Sequence, residues 1–185
     1  MEEFYEQSFD RLTALSLGEY EDCRFNHCDF SGASLAGSRF INCRFTDCNL
    51  SLAGLANTSL QEVHFKGCKM LGLRFDTCSA FGMSLSFTDC VLDNSSFYKI
   101  KNHFFYAGQS RLREVDFTDA DLTGAIFDDC DLRDAHFENT LLEKADLRTA
   151  THYTIDPTRN RVKKARFSWP GVAGLLTAFD IELSA

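Results

Sequence analysis

Large apolar residues return at every fifth position along most of this chain, a period that neither a helix nor an ordinary strand produces. Counting in fives from Phe25 gives Phe30, Leu35, Phe40, Phe45, Leu50, Leu55, Leu60, Phe65, Met70, Phe75, Ala80 and Leu85, and only Ala80 is not large. The rhythm resumes two residues out of step at Phe87 and runs through Leu92, Phe97, Asn102, Ala107, Leu112, Phe117, Leu122, Phe127, Leu132, Phe137, Leu142 and Leu147. Only Asn102 and Ala107 break it. Two places before most centres stands a small residue, as at Cys23, Cys28, Ala33, Ser38, Cys43, Cys48, Ala120, Ala125, Cys130 and Ala145. The unit is small, any, large apolar, any, any.

From Cys23 to Phe167 this unit resembles the pentapeptide-repeat family. The resemblance implies an all-β solenoid: a right-handed quadrilateral β-helix, four units to a square coil, with centres and small residues inside and the other three positions outside. Physical reasoning agrees, because one such coil cannot bury its own apolar side chains and must stack on its neighbours. At about 4.8 Å per layer, about seven turns make a rod roughly 35 to 40 Å long.

The phase slip near Met83 to Phe87 predicts extra residues at a corner rather than a domain boundary. Between Ile100 and Ala107 large and small positions are exchanged, which predicts either a locally repacked coil of conserved volume or a partner-binding patch around Phe104 and Tyr106. Residues 1–22 are expected to cap the first coil, with Phe4 to Tyr20 apolar but off the rhythm. Residues 23–167 form the β-helix, and 168–185 a C-terminal helix and strand. There Ser168-Trp169-Pro170 reads as a helix start, and Val172, Leu175, Leu176 and Phe179 make an apolar stripe that needs a cover. The last coil or a second copy of the chain can supply it.

Composition narrows the function. With 185 residues the chain suffices for one unit with a continuous core, and its apolar runs are far shorter than the roughly 20 residues that cross a bilayer. The acidic start Met1, Glu2, Glu3 lacks the basic region of a secretory signal, so a soluble, cytoplasmic protein without membrane contact is expected. All eight cysteines (Cys23, Cys28, Cys43, Cys48, Cys68, Cys78, Cys90 and Cys130) occupy the small inward position, where they are expected to act as small buried groups rather than metal or redox centres. His27, His64, His103, His136 and His152 are scattered, and no phosphate-binding loop, nucleophile elbow or zinc motif is present. No catalytic residue, metal or cofactor is therefore expected.

A net charge of −8 argues against direct nucleic-acid binding and for a basic partner. Acids crowd one stretch: Glu114, Asp116, Asp119, Asp121, Asp128, Asp129, Asp131, Asp134, Glu138, Glu143 and Asp146, opposed by Arg133 and Lys144. All fall on outward positions. They are either solvation or an imitation of duplex DNA, which carries about one negative charge per 1.7 Å of axis. A generic interaction scaffold with another protein partner is the alternative function, and capture of a small antibiotic is disfavoured because side chains fill the interior.

A finer resemblance favours mimicry. Cys48-Asn49-Leu50-Ser51, Glu62-Val63, Cys68-Lys69-Met70-Leu71-Gly72, Tyr153, Ile155-Asp156, Arg166-Phe167-Ser168 and Asp180-Ile181-Glu182-Leu183 are similar to the gyrase-interacting branch of the family. That branch includes the albicidin- and microcin-immunity proteins and the Qnr quinolone-resistance group. The resemblance implies a homodimer built by the C-terminal helix and strand, with Val172, Leu175, Leu176, Phe179 and Ile181 in the contact, and an acidic rod that occupies the DNA site of gyrase or a related type II topoisomerase. Such a dimer would be roughly 75 Å long, about 22 base pairs of duplex. The sequence departs from the Qnr group in leaving no room for long projecting loops, and it places Arg159, Arg161, Lys163, Lys164 and Arg166 near the dimer seam. Immunity to a poison or toxin is accordingly expected ahead of quinolone protection.

Overall fold

In the computed structural model, which describes residues 1–102, 104–179 and 181, the chain winds into a parallel β-solenoid of about eight turns followed by one short helical segment. Its strands fall into a four-stranded and a nine-stranded parallel sheet. The longer sheet runs through Phe9, Phe25, Phe45, Phe65, Phe87, Ala107, Phe127, Leu147 and Phe167. The other faces are held largely by single bridges twenty residues apart, such as Asp116 with His136 and Asp121 with Leu141. We call the four faces one to four in winding order, centred at Phe40, Phe45, Leu50 and Leu55.

Most corners turn on a left-handed residue two places after a centre. Asp22, Asn42, Asn57, Asp89, Asn94, Asp119, Asp129, Asp134 and Asn139 have φ between 49° and 60°, and Gly32, Gly37 and Gly72 do the same elsewhere. Aspartate, asparagine and glycine tolerate this region best, so one aspartate class in the repeat is set by the backbone. A second class precedes the centres. The Asp116 and Asp121 carboxylates accept from the backbone amides of Thr118 and Thr123 at 2.9 and 3.1 Å, bracing the next corner.

The interior is a set of side-chain columns. Phe25 stacks on Phe45 with ring centroids 4.5 Å apart, Phe45 on Phe65 at 5.1 Å, and Phe65 on Phe87 at 5.4 Å. Each stacked pair contributes about 0.5 to 1.5 kcal/mol beyond its buried area. The small column carries short donors that reach the carbonyl of an earlier coil: Thr58 Oγ1 to Leu35 O at 3.0 Å, Ser95 Oγ to Met70 O at 3.0 Å, Thr140 Oγ1 to Phe117 O at 2.9 Å. Cys48 and Cys130 thiols do likewise, donating to Phe25 O at 3.4 Å and Ala107 O at 3.2 Å. Cysteine fits because it is small, apolar enough for the core and still a weak donor.

Three local expectations are corrected. The two extra residues enter on face one in the stretch between Ser79, still in step with Ser59, and Leu85, which pairs with Val63. Ala80 therefore turns outward, Met83 takes the vacant core place, and Leu85 fills a small-column position rather than a centre. Residues 1–22 do not simply cap: Glu2–Tyr5 pairs with Gly18–Glu21 and Ser8–Asp10 with Arg24–Asn26, making a coil of sixteen residues instead of twenty. Phe4 and Phe9 stack on Tyr20 and Phe25 at 4.7 and 5.1 Å and so close the column end. Of the cysteines, Cys78 beside the insertion is only half-buried, while the other seven are buried.

The exchanged segment repacks inward. Ile100, Asn102, Phe105 and Ala107 are all buried, and the tilted Phe105 ring sits 5.7 Å from Phe87 and 5.3 Å from Phe127, bridging the gap that Ala107 leaves in the phenylalanine column. Phe104 is exposed and Tyr106 half-buried. At the C-terminus, Pro170–Val172, Ala173–Leu176 and Thr177–Phe179 form consecutive helical turns. The expected strand over Asp180 to Leu183 lies outside the described residues apart from Ile181.

Candidate functional site

The eleven acids do not share one face. Asp128 lies on face two, Asp129 at the corner of faces two and three, and Asp131 on face three; Asp146 returns to face two one coil later. The opposite side carries Glu114 and Asp134 at the corner of faces three and four, Asp116 and Glu138 on face four, Asp119 at the next corner and Asp121 on face one. None of the eleven is buried. The expected acidic face is thus an acidic girdle, denser where five carboxylates surround face four.

Arginines neutralise part of the girdle. Asp131 is held by Arg113 at 2.7 Å and by the His152 ring at 2.9 Å, and Asp146 by Arg148 at 2.7 Å with Arg166 at 3.7 Å. Glu138 pairs with Arg159, and Glu143 with Arg161 at 3.8 Å. The basic segment after the repeat therefore folds onto the last acidic coils. Partial burial raises the Asp131 pKa, but hydrogen bonds from Arg113 and His152 offset this and hold the carboxyl below its ordinary range. The Arg148 hydrogen bond does the same for Asp146 against a smaller burial effect. Among the described residues Glu114, Asp116, Asp119, Asp121, Asp128, Asp129 and Asp134 form no ion pair. Sequence reading saw the acids but not their duties, since pairing twenty residues away becomes visible only once coil register is fixed.

The C-terminal segment lies partly on the rod. Leu175 packs against the core cluster, Val172 and Leu176 are half-buried, and Phe179 and Ile181 are 48 % and 51 % exposed. The Ile155 amide donates to Gly174 O at 3.0 Å, and both Gly171 and Gly174 sit so close to Tyr153 that a Cβ would collide with it. Trp169 is 89 % exposed. One edge of the apolar stripe is therefore covered by the last coil and the other is left open.

Burial pushes the Cys43, Cys78 and Cys130 thiols up to about 12, the opposite of an activated nucleophile. Among the described residues no group of His, Cys, Asp or Glu is placed to hold a metal ion, and no helix is long and apolar enough to cross a membrane.

Known proteins place the chain by its repeat. The family described as "Pentapeptide repeat region" matches residues 19–97, and "Pentapeptide repeats (8 copies)" matches residues 109–150, together more than half of the chain. No curated protein sequence matches it. Among solved structures, a trypsin-treated variant of QnrB1, a plasmid-mediated fluoroquinolone resistance protein, superposes with a TM-score of 0.64 at 18 % identity, covering 100 % of this chain and 99 % of the other. Full-length QnrB1 gives 0.58 at 19 % identity, covering 97 % of each chain. At such identities the likeness is one of fold.

Proposed function

Because the chain belongs to the pentapeptide-repeat family, we propose that it is a non-enzymatic protein-binding rod whose girdle of acids occupies the duplex-DNA site of DNA gyrase or a related type II topoisomerase and so counters a poison or toxin. The supporting observation is a set of carboxylates that form no ion pair among the described residues, Glu114, Asp116, Asp119 and Asp134 around face four and Asp121 on the adjoining face one. Glu114 and Asp134 stand on adjacent coils, about 4.8 Å apart, while Asp116, Asp119 and Asp121 follow Glu114 round the same coil. A fold that needed these positions only for its corners could use asparagine or glycine, as it does at Asn94, Asn139 and Gly124. The uncompensated charge is what a DNA-binding cleft would attract.

A homodimer through the open edge of the C-terminal stripe, with Phe179 and Ile181 at its centre and Val172, Leu175 and Leu176 beneath, completes this reading and doubles the length of the rod. The scaffold reading keeps one observation in its favour, namely that Asp131, Glu138, Glu143 and Asp146 are engaged in ion pairs within the chain. A gyrase supercoiling titration separates the two. The native protein should inhibit the enzyme or relieve a poison, and Asp116→Asn, Asp119→Asn, Asp121→Asn and Asp134→Asn combined should abolish this with the fold intact. No effect of the native protein at large excess favours the scaffold.

A further inference from the structure

A cleft of about 430 Å³ opens at the N-terminal end of the rod, between face two and the corner that it shares with face one. Its two walls run along the stacked coils. On face two the outward residues Ser8, Arg24, Arg44 and His64 stand in register on successive strands. On the corner Glu6, Asp22 and Asn42 hold the left-handed positions, with φ of 50°, 54° and 49°. One wall is cationic and the other is made of oxygen acceptors with one amide.

The arginines of this cleft are the unusual feature. Arg24 and Arg44 are exposed, face each other across adjacent strands about 4.8 Å apart, and make no side-chain hydrogen bond or ion pair among the described residues. Every other arginine reaches a carboxylate, as Arg39 does on Glu19 at 2.8 Å and Arg111 on Asp93 at 2.7 Å, except Arg133, which lies 3.5 Å from the His152 ring. The acids across the cleft are drawn elsewhere. Asp22 accepts from the Asn42 amide, and the Glu6 carboxylate lies near enough to the Tyr5 hydroxyl to raise its pKa. His64 continues the cationic column with Nδ1 against Ser86 Oγ, and its Nε2 has no partner among the described residues. Like charges directly opposite each other destabilise a sheet, and no contact within the chain offsets this pair.

We propose that this cleft binds a small phosphorylated polyol of the sugar-phosphate class, with its phosphate on Arg24 and Arg44 and its hydroxyls on the opposite wall. A tetrahedral phosphate has oxygens enough to meet two guanidinium forks, and the strand spacing places those forks on either side of it. When Ser86 Oγ donates to His64 Nδ1, Nε2 carries the proton and becomes a third donor. Glu6 and Asp22 accept hydroxyl hydrogens but repel further negative charge, so they favour one phosphate with alcohols attached over a polyphosphate. Bound phosphate also removes the repulsion between the arginines. A volume of about 430 Å³ lies within the range of small-molecule sites and exceeds the need of a bare anion. The cleft is remote from the carboxylates of face four and from the C-terminal stripe, so it stands or falls independently of the topoisomerase reading.

Calorimetry and thermal unfolding of the full chain with ribose 5-phosphate, inorganic phosphate and ribose, each compared with sodium chloride at equal ionic strength, test this. Ribose 5-phosphate should bind, raise Tm with concentration and bind more tightly than inorganic phosphate, while ribose should do neither. Arg24→Gln and Arg44→Gln should each weaken binding at least about tenfold, and Arg44→Lys should weaken it less, because a lysine keeps the charge and loses the fork. Arg24→Gln should leave the Tm of the free protein unchanged or higher, which shows that the variant is folded. Glu6→Gln with Asp22→Asn should weaken ribose 5-phosphate and tighten inorganic phosphate, a reversal that a merely structural role would not produce. A Tm that ribose 5-phosphate moves no further than sodium chloride does, or equal binding by the arginine variants, would overturn the proposal. Equal affinity for ribose 5-phosphate and inorganic phosphate would overturn the role given to the acidic wall.

Discussion

Asn102→Leu should stabilise the protein. Asn102 occupies a centre on face one, is 1 % exposed, and its Nδ2 has no hydrogen-bond partner among the described residues. Leaving a buried donor unsatisfied costs about 1 to 3 kcal/mol, and leucine has nearly the same branched shape without the donor. The substitution forfeits one contact, the Phe104 amide to Asn102 Oδ1 at 3.4 Å, which at that length is worth at most about 0.5 to 1 kcal/mol. A net gain of about 1 kcal/mol follows at the middle of these ranges, or a rise in Tm of roughly 2 to 4 °C for a chain of this size. Calorimetry and urea unfolding read it directly, and Asn102→Ala serves as a control that removes the amide but opens a void. An unchanged or lower Tm for Asn102→Leu would mean that the amide is satisfied in solution and that the exchange at this coil is not frustrated.

Further outcomes follow from the same geometry. Asp131 and Asp146 have folded pKa values held below their unfolded ones, so their stabilising effect is complete above the ordinary carboxylate range and is lost as pH falls through the folded values. Thermal unfolding between pH 7 and pH 2 should show Tm falling on the acid side, and Asp146→Asn should flatten that fall. In native protein a thiol reagent should modify Cys78 first and the seven buried cysteines only on unfolding; rapid modification of most of them would refute the buried ladder. Gly174→Ala places a Cβ against the Tyr153 carbonyl and should release the C-terminal segment, seen as faster proteolysis after Arg166 with the repeat still folded.

The sequence revealed most of the fold because its period is chemical: an inward apolar centre every five residues leaves one class of architecture, and Phe25, Phe45 and Phe65 lie in register as the count demands. The phase slip was visible as well, but its resolution was not. Whether Ala80 or Met83 takes the core depends on which residues the extra length pushes outward, which the count alone leaves open. The first coil was hidden for a similar reason, since its sixteen residues fall off the rhythm although Phe4 and Phe9 still enter the columns. For the acids, position was legible and role was not. Asp116 braces a corner through the Thr118 amide, Asp134 forms one by its own left-handed backbone, and Asp131 is held by Arg113 eighteen residues away, a contact that only the coil register brings about.

The most direct test of the proposed role is competition with DNA itself. Fluorescence anisotropy of a labelled duplex bound to gyrase should fall as the native protein is added, with an apparent affinity that weakens steeply with salt, while the variant lacking the carboxylates of Asp116, Asp119, Asp121 and Asp134 should displace nothing. Unchanged anisotropy at a large excess of the native protein, or equal displacement by the variant, would contradict DNA mimicry by these acids.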